Sequence, residues 1–216
     1  MEEKNQLRQI YGDAKVLKKC QSDKKFAYVV ALARAVNAFN AAHALMVLTG
    51  DTDTPAAQRN KMNAYFFTSA VLYEALKLIR SMSAVFGKER NFQNSIQQLL
   101  KDKTALRVER THLKAVRHDA VFHFVPDQFS KAIAATGMSD CVFTATRGTR
   151  PDDDHYEFAD YIAAEIEIGG RLSDREVVTR MMHDKLELVK QFVVRSQDFI
   201  AGELHSRGFK LKPPPF

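Results

Sequence analysis

The stretch TPAAQRNKMNAYFFTSAVLYEALKLIRSMSAVFG, from Thr54 to Gly87, decides the fold because it predicts one long helix. Thr54 is a suitable N-cap, and Pro55 stands at the first helical position, where its missing N–H costs nothing. Gly87 can end the helix. Apolar side chains recur at helical spacing between these ends, at Met62, Phe66, Ala70, Tyr73, Leu76 and Ile79. The pattern predicts a helix with one buried face in a mainly α-helical protein.

Helical periodicity continues on both sides of this stretch. Two helices are predicted before it, over residues 3–19 and 24–48, and others begin near Phe92 and Thr104. A capping box of Ser173 and Glu176 predicts the start of a long last helix. Since the connections are short and poor in Pro and Gly, we expect residues 1–216 to form a single up-and-down helical bundle.

The segment from about residue 140 to 169 is predicted to form a β-hairpin inserted before the last helix. CVFTATR, residues 141–147, and YIAAEIEI, residues 161–168, both alternate between apolar and polar side chains. A polar, turn-rich loop joins them, and two glycines follow the second run. Beyond the last helix, the proline-rich tail over residues 208–216 is predicted to be extended.

The overall composition indicates which kinds of partner the protein could bind and in which cellular compartment we expect it. Lys and Arg number 32 against 26 Asp and Glu, a net charge of +6 that is compatible with a polyanionic partner. The two cysteines, Cys20 and Cys141, are too far apart for a ligand pair and indicate a reducing compartment. The first fifteen residues contain no apolar signal core, and the longest apolar run is interrupted by Arg34 and Asn37. We therefore expect a soluble, cytoplasmic protein that does not associate with a membrane.

A regular helix over residues 103–124 would carry three groups of side chains. The first is a predicted core stripe: Leu106, Leu113, Val116, Ala120 and Phe124. The second is a basic row that either faces solvent or binds a phosphate backbone: Lys103, Arg107, Arg110, Lys114 and Arg117. The third, His112, Asp119 and His123, has metal-ligand types. Because Glu109-x-x-His112 has no second Glu-x-x-His elsewhere in the chain, we expect no metal.

The end of this helix, RHDAVFHF at residues 117–124, resembles the motif of the HEPN superfamily, helical domains that include many metal-independent ribonucleases of prokaryotic toxin–antitoxin and antiphage systems. The family motif is an Arg followed a few residues later by a His, with a polar residue after the Arg and often an aromatic residue after the His. The resemblance implies that Arg117 and His123 are catalytic and that His118 assists. It also implies supporting roles for Asp119 and, more loosely, Glu74, and it implies no cofactor.

The bare motif is not specific, since Arg107 with His112 and Arg150 with His155 also satisfy it. The residues beside Arg117 and His123 favour that pair. These two lie about 120° apart on a regular helix, so they can share a site only if two copies of the chain face each other.

The resulting expectation is a homodimeric endoribonuclease that acts on RNA, with Lys103, Arg107, Arg110 and Lys114 binding the nucleic acid and an antitoxin protein as a further candidate partner. The alternative is a non-catalytic HEPN-like module that binds nucleic acid or protein.

Overall fold

The computed structural model describes residues 9–49, 54–114, 125–135, 145 and 156–212. The predicted fold class is confirmed in its main point, because the protein is mainly α-helical. In chain order the elements are β1 Gln9–Tyr11, α1 Ala14–Cys20, α2 Lys24–Thr49, α3 Pro55–Phe86, α4 Arg90–Asn94, a 3₁₀ helix Ile96–Lys101, α5 Lys103–Val108, a π-helical turn Glu109–Leu113, α6 Pro126–Ala135, α7 Glu157–Ile168, α8 Arg175–Ser206 and β2 Lys210–Lys212.

Helix α3 has the ends that its sequence predicts. The Thr54 side chain accepts a hydrogen bond from the Ala57 N–H at 3.2 Å, and Pro55 is the first helical residue. The helix ends at Phe86, directly before Gly87. Its apolar face is buried along most of its length, at Phe66, Ala70, Leu72, Leu76, Ile79, Met82 and Phe86.

The main core lies where α3 packs against α2 and α8. Phe39 of α2 meets Phe192 of α8 edge to face, with ring centroids 5.2 Å apart. A second aromatic group closes the other end of the core, where Phe199 meets Phe86 at 5.3 Å and Phe92 at 5.8 Å. All of these rings are buried, and aromatic pairs in such geometry stabilise a core beyond the area that they bury.

Helix α2 is long and apolar enough to cross a membrane by length and composition alone. Core helices of soluble proteins have the same properties, and α2 buries Val29, Leu32, Val36 and Phe39 in the main core. The cytoplasmic location therefore stays a prediction.

The predicted β-hairpin is wrong where the structure describes it. Residues 157–168, which include the whole second predicted strand, form helix α7. The first predicted strand lies outside the described residues except for Ala145. Alternation misleads here because α7 is buried on several sides, so that Glu165 and Glu167 are buried beside Ile162 and Ile168.

The N-terminal segment also differs from the prediction. One helix is predicted over residues 3–19, but the described part of that range, from Gln9 onward, forms β1 and then α1, which Asp13 caps by accepting from the Val16 N–H at 2.8 Å. A Cβ at Gly12 would lie 2.4 Å from the ring of Phe209, so a larger residue there would require that ring to move. Within the predicted extended tail, Lys210–Lys212 is β2, which pairs antiparallel with β1.

The predicted core stripe of the 103–124 helix is partly wrong because the helix is not regular. Leu106 is 42% exposed, whereas Ala105, Val108 and Leu113 are buried. Val108 and Leu113 are five positions apart, and the π-helical turn at Glu109–Leu113 allows both to face the core. Leu113 is the one member of the predicted stripe that is buried among the described residues; Val116, Ala120 and Phe124 lie outside them.

Candidate functional site

An open, mostly polar pocket of about 200 Å³ lies between α5 with its π-helical turn, the loop after α7, and the start of α8. We call it the arginine pocket. Its lining is Arg107, His112, Arg171, Val177, Arg180 and Met181. Three arginines and a histidine thus line one small cavity.

The irregular helix places Arg107 and His112 on the same cavity. They are five positions apart, which corresponds to about 140° on a regular α-helix and would separate them. Val108 and Leu113 have the same spacing across the π-helical turn and share the core side. Arg107 and His112, each one position earlier, share the pocket side.

The third arginine reaches the pocket through a turn of two glycines. Gly169 and Gly170 have φ values of +67° and +79°, in the left-handed region that side chains with a Cβ rarely adopt. Gly169 caps α7, and the Leu172 N–H then donates to the Glu165 carboxylate at 3.2 Å. After this turn, Arg171 lies just before the start of α8. Arg180 lies in the second turn of α8, and both residues line the pocket.

Among the described residues, the lining of the pocket has more positive than paired negative charge. Arg107 forms an ion pair with Asp184 of α8. Arg180 lies 4.0 Å from Glu176, on a surface where both side chains are largely exposed, so this pair is weak. Arg171 forms no ion pair with any residue that the structure describes. Within the described part of the chain, a bound anion would therefore meet one arginine without an ion pair and two that can exchange their partners.

His112 is held as a neutral ring. Its Nδ1 lies 3.0 Å from the main-chain oxygen of Glu167. A carbonyl oxygen only accepts, so Nδ1 carries the proton and Nε2 of the neutral ring carries the lone pair. Burial lowers the pKa of His112 below its usual value, the charges of Lys185 and Arg107 lower it further, and the contact with Glu167 opposes them. A histidine in this state can accept a proton through Nε2 near neutral pH.

A buried polar cluster lies behind His112. Lys185 of α8 forms an ion pair with the side chain of Glu167, and both side chains are almost fully buried. Lys185 Nζ also donates to Ser69 Oγ at 2.6 Å and lies 3.8 Å from the ring centroid of Tyr65. Burial lowers the pKa of Lys185, and burial together with the Glu167 charge raises that of Tyr65. We call these four residues the buried ion-pair cluster.

The sequence-predicted site residues fall into three groups. Lys103, Arg107, Arg110 and Lys114 are all exposed, as a nucleic-acid surface requires, but only Arg107 of these lines the pocket. Glu74 is half-buried, lies 3.4 Å from Lys77, and lines a different cavity of about 470 Å³ between α2 and α3. Outside the described residues lie Arg117, His118, Asp119 and His123.

No group of three His, Cys, Asp or Glu side chains that could hold a metal occurs within residues 9–49, 54–114, 125–135 and 156–212. His112, the one described member of the His112, Asp119 and His123 group, contacts a main-chain oxygen instead.

Sequence reasoning missed Arg171, Arg180, Glu167 and Lys185. The signal for Arg171 was its place in a connecting segment after Gly169-Gly170, since loops carry a disproportionate share of binding and catalytic residues. In the predicted strand Glu167 lies on the face opposite the isoleucines, and its burial cannot be read from that alternation. Lys185 gave no signal, because a lysine in the middle of a helix is ordinarily solvated.

Comparisons with known proteins add no relative: no family model, no curated protein and no solved structure matches this chain.

Proposed function

We propose that this protein binds RNA through the arginine pocket and cleaves it without a metal ion, in the manner of the HEPN ribonucleases that its sequence resembles. One observation carries the proposal. Arg107 and His112, which satisfy the bare Arg–His motif, line one pocket together with Arg171 and Arg180.

The charge and shape of the pocket suit a phosphodiester. Guanidinium groups offer paired donors that match two phosphate oxygens. A volume of about 200 Å³ admits a phosphate with part of its ribose but excludes a folded duplex. The exposed basic side chains Lys103, Arg110 and Lys114 extend the positive surface along the same helical segment. Single-stranded RNA passing along that segment would place one phosphate in the pocket.

The chemistry needs only groups that the chain supplies. His112 Nε2 takes the proton of the ribose 2′-hydroxyl, and the 2′-oxygen attacks the adjacent phosphorus. The arginines stabilise the negative charge that develops on the phosphate oxygens. The bond from phosphorus to the 5′-oxygen breaks, the 5′-oxygen takes a proton from a general acid or water, and a 2′,3′-cyclic phosphate remains.

The family resemblance supplies the remaining parts of the proposal. His123 and Arg117 are proposed as the acid and the second phosphate contact, with His118 assisting and Asp119 and Glu74 supporting. Two copies of the chain would face each other, so that each site contains residues from both. A role in a toxin–antitoxin or antiphage system, with an antitoxin protein as partner, belongs to the same proposal.

A cleavage assay in EDTA tests the proposal. A labelled, unstructured RNA is incubated with the wild-type protein, with His112→Gln and with His123→Ala, and the DNA of the same sequence serves as a substrate that lacks the attacking hydroxyl. We expect cleavage of RNA but not DNA by the wild type, and a loss with His112→Gln. Undiminished cleavage by His112→Gln together with a loss in His123→Ala would assign catalysis to the Arg117–His123 motif and not to His112.

The second candidate is an RNA-binding module that does not cleave. The ion pair between Arg107 and Asp184 favours it, because a catalytic arginine that is already paired must exchange its partner before it can stabilise a transition state. Salt-sensitive RNA binding with no product under any condition would establish this function instead.

A further inference from the structure

We propose that Glu167 and Lys185 are positioning residues that fix the orientation and tautomer of His112. The inference rests on the proposed function for its purpose, but its physical content can be measured without RNA.

The starting point is the carbonyl that His112 contacts. Glu167 is in the last turn of α7, where main-chain oxygens have no partner within the helix. The cap at Gly169 uses the oxygen of Glu165, to which the N–H groups of both Gly169 and Gly170 donate. The oxygen of Glu167 is therefore available, and His112 Nδ1 uses it. Any movement of the end of α7 moves the group that orients the imidazole.

The side chain of the same residue ties that end of α7 to the rest of the bundle. Glu167 Oε1 contacts Lys185 of α8 and, at 3.2 Å, Ser69 of α3. Lys185 also donates to Ser69, so the three residues form a closed triangle across three helices. The ring of Tyr65 covers the ammonium group. One residue thus holds His112 with its backbone and is itself held by its side chain.

A purely structural role explains this cluster poorly. Transferring two opposite charges into the interior is costly, and apolar residues of similar size often stabilise a protein as well or better. The second carboxylate oxygen of Glu167 is buried and accepts no hydrogen bond from any described residue, which adds to that cost. What an apolar replacement could not supply is a rigid attachment with one geometry for the end of α7.

Several charged residues surround His112, so a test of positioning must keep the net charge around it unchanged. Lys185 and Arg107 act on its pKa from α8 and α5, and Glu167 acts from α7 in the opposite direction. Arg171 and Arg180 line the same pocket from the loop and from α8. Removing Lys185 and Glu167 together removes one positive and one negative charge, so the double variant separates positioning from a change in net charge.

The experiment measures the tautomer of His112 by long-range ¹H–¹⁵N NMR on the full chain without RNA. In the wild type we expect a proton on Nδ1. In Lys185→Met/Glu167→Leu we expect the Nε2–H form that free imidazole prefers to become the major species. Glu167→Gln, which keeps acceptor and shape, should retain the wild-type tautomer, and so should the control Ser196→Ala, another buried polar residue of α8.

Circular dichroism establishes which variants fold, and Ser69→Ala replaces the double variant if that one does not; we expect it to shift part of the His112 population. An unchanged Nδ1–H tautomer in the folded double variant or in Ser69→Ala would overturn the inference, as would an Nε2–H ring in the wild type. The cleavage assay is separate: loss of cleavage at least tenfold greater than loss of RNA binding is expected for the double variant. A correct tautomer in a wild type that cleaves nothing would reject the proposed function and leave the positioning intact.

Discussion

His112 Nδ1 lies 3.0 Å from the main-chain oxygen of Glu167, and the two residues are 55 positions apart in the chain. The contact joins the π-helical turn to the end of α7, and the sequence predicted neither element in this form. It decides which nitrogen of His112 can accept a proton. The most direct predictions concern this residue and the arginines beside it.

Replacing His112 by Gln should abolish cleavage while leaving RNA binding almost unchanged. Gln can still donate to the Glu167 oxygen, but it cannot accept a proton near neutral pH. Loss of a general base ordinarily reduces a rate by about 10²- to 10⁴-fold. Single-turnover cleavage and fluorescence anisotropy on the same RNA measure the two effects. A His112→Gln protein that binds RNA more than tenfold more weakly would show that the ring contributes binding rather than proton transfer.

Replacing Arg171 or Arg180 by Ala should weaken RNA binding and reduce its dependence on salt. When an arginine no longer neutralises a phosphate of a single strand, the slope of log Kd against log salt decreases by about 0.7. Lys190→Ala is the matched control, since it removes an exposed cation of α8 that lies near Glu187 and outside the pocket. Equal effects of all three substitutions would indicate attraction by overall charge and no specific site.

Replacing Asp184 by Asn should strengthen RNA binding by freeing Arg107 from its ion pair. A partly exposed pair contributes up to about 1 kcal/mol, so the gain should be up to about fivefold in Kd. Titration of the wild type and of Asp184→Asn at low salt checks it. Weaker binding by Asp184→Asn would mean that the aspartate holds Arg107 in its binding orientation.

The stability of the fold should decrease as the pH falls below about 6.5, the ordinary pKa of histidine. The pKa of His112 is lowered in the folded protein, chiefly by burial. In that pH range the unfolded chain binds a proton more readily, so acidification favours unfolding until the pH passes below the folded pKa. Urea denaturation at several pH values measures this slope. His112→Gln should be less sensitive over the same interval, and an identical slope would assign it to another group.

How far the sequence predicts the fold and the site depends on what each residue contacts. Helix α3 follows from Thr54, Pro55 and its periodic apolar face, because capping and amphipathic spacing act within a few residues. Helix α7 was predicted as a strand because its polar positions are buried: Glu165 is satisfied by Tyr161 and Leu172, while Glu167 meets Lys185. Most of those partners lie outside the local sequence pattern of α7, so that pattern could not predict them.

The site shows the same limit. The sequence placed Arg107 on a basic row, and it is exposed as expected. It could not place His112 beside Arg107, because a regular helix separates residues five positions apart. The π-helical turn that brings them to one pocket packs against α3 and α7, which are distant in sequence, and π-helical turns often occur at functional sites.

The π-helical turn also gives a stability prediction that separates it from a regular helix. Leu113 is fully buried and Leu106 is 42% exposed, whereas a regular helix with the predicted stripe would bury both. Leu113→Ala should therefore cost about 2–5 kcal/mol in the free energy of unfolding, as buried leucines do. Leu106→Ala should cost less than about 1 kcal/mol, since little of its apolar surface is removed from water. Urea unfolding of the two variants measures both values, and similar large losses would show that Leu106 faces the core and that the helix runs without the π-helical turn.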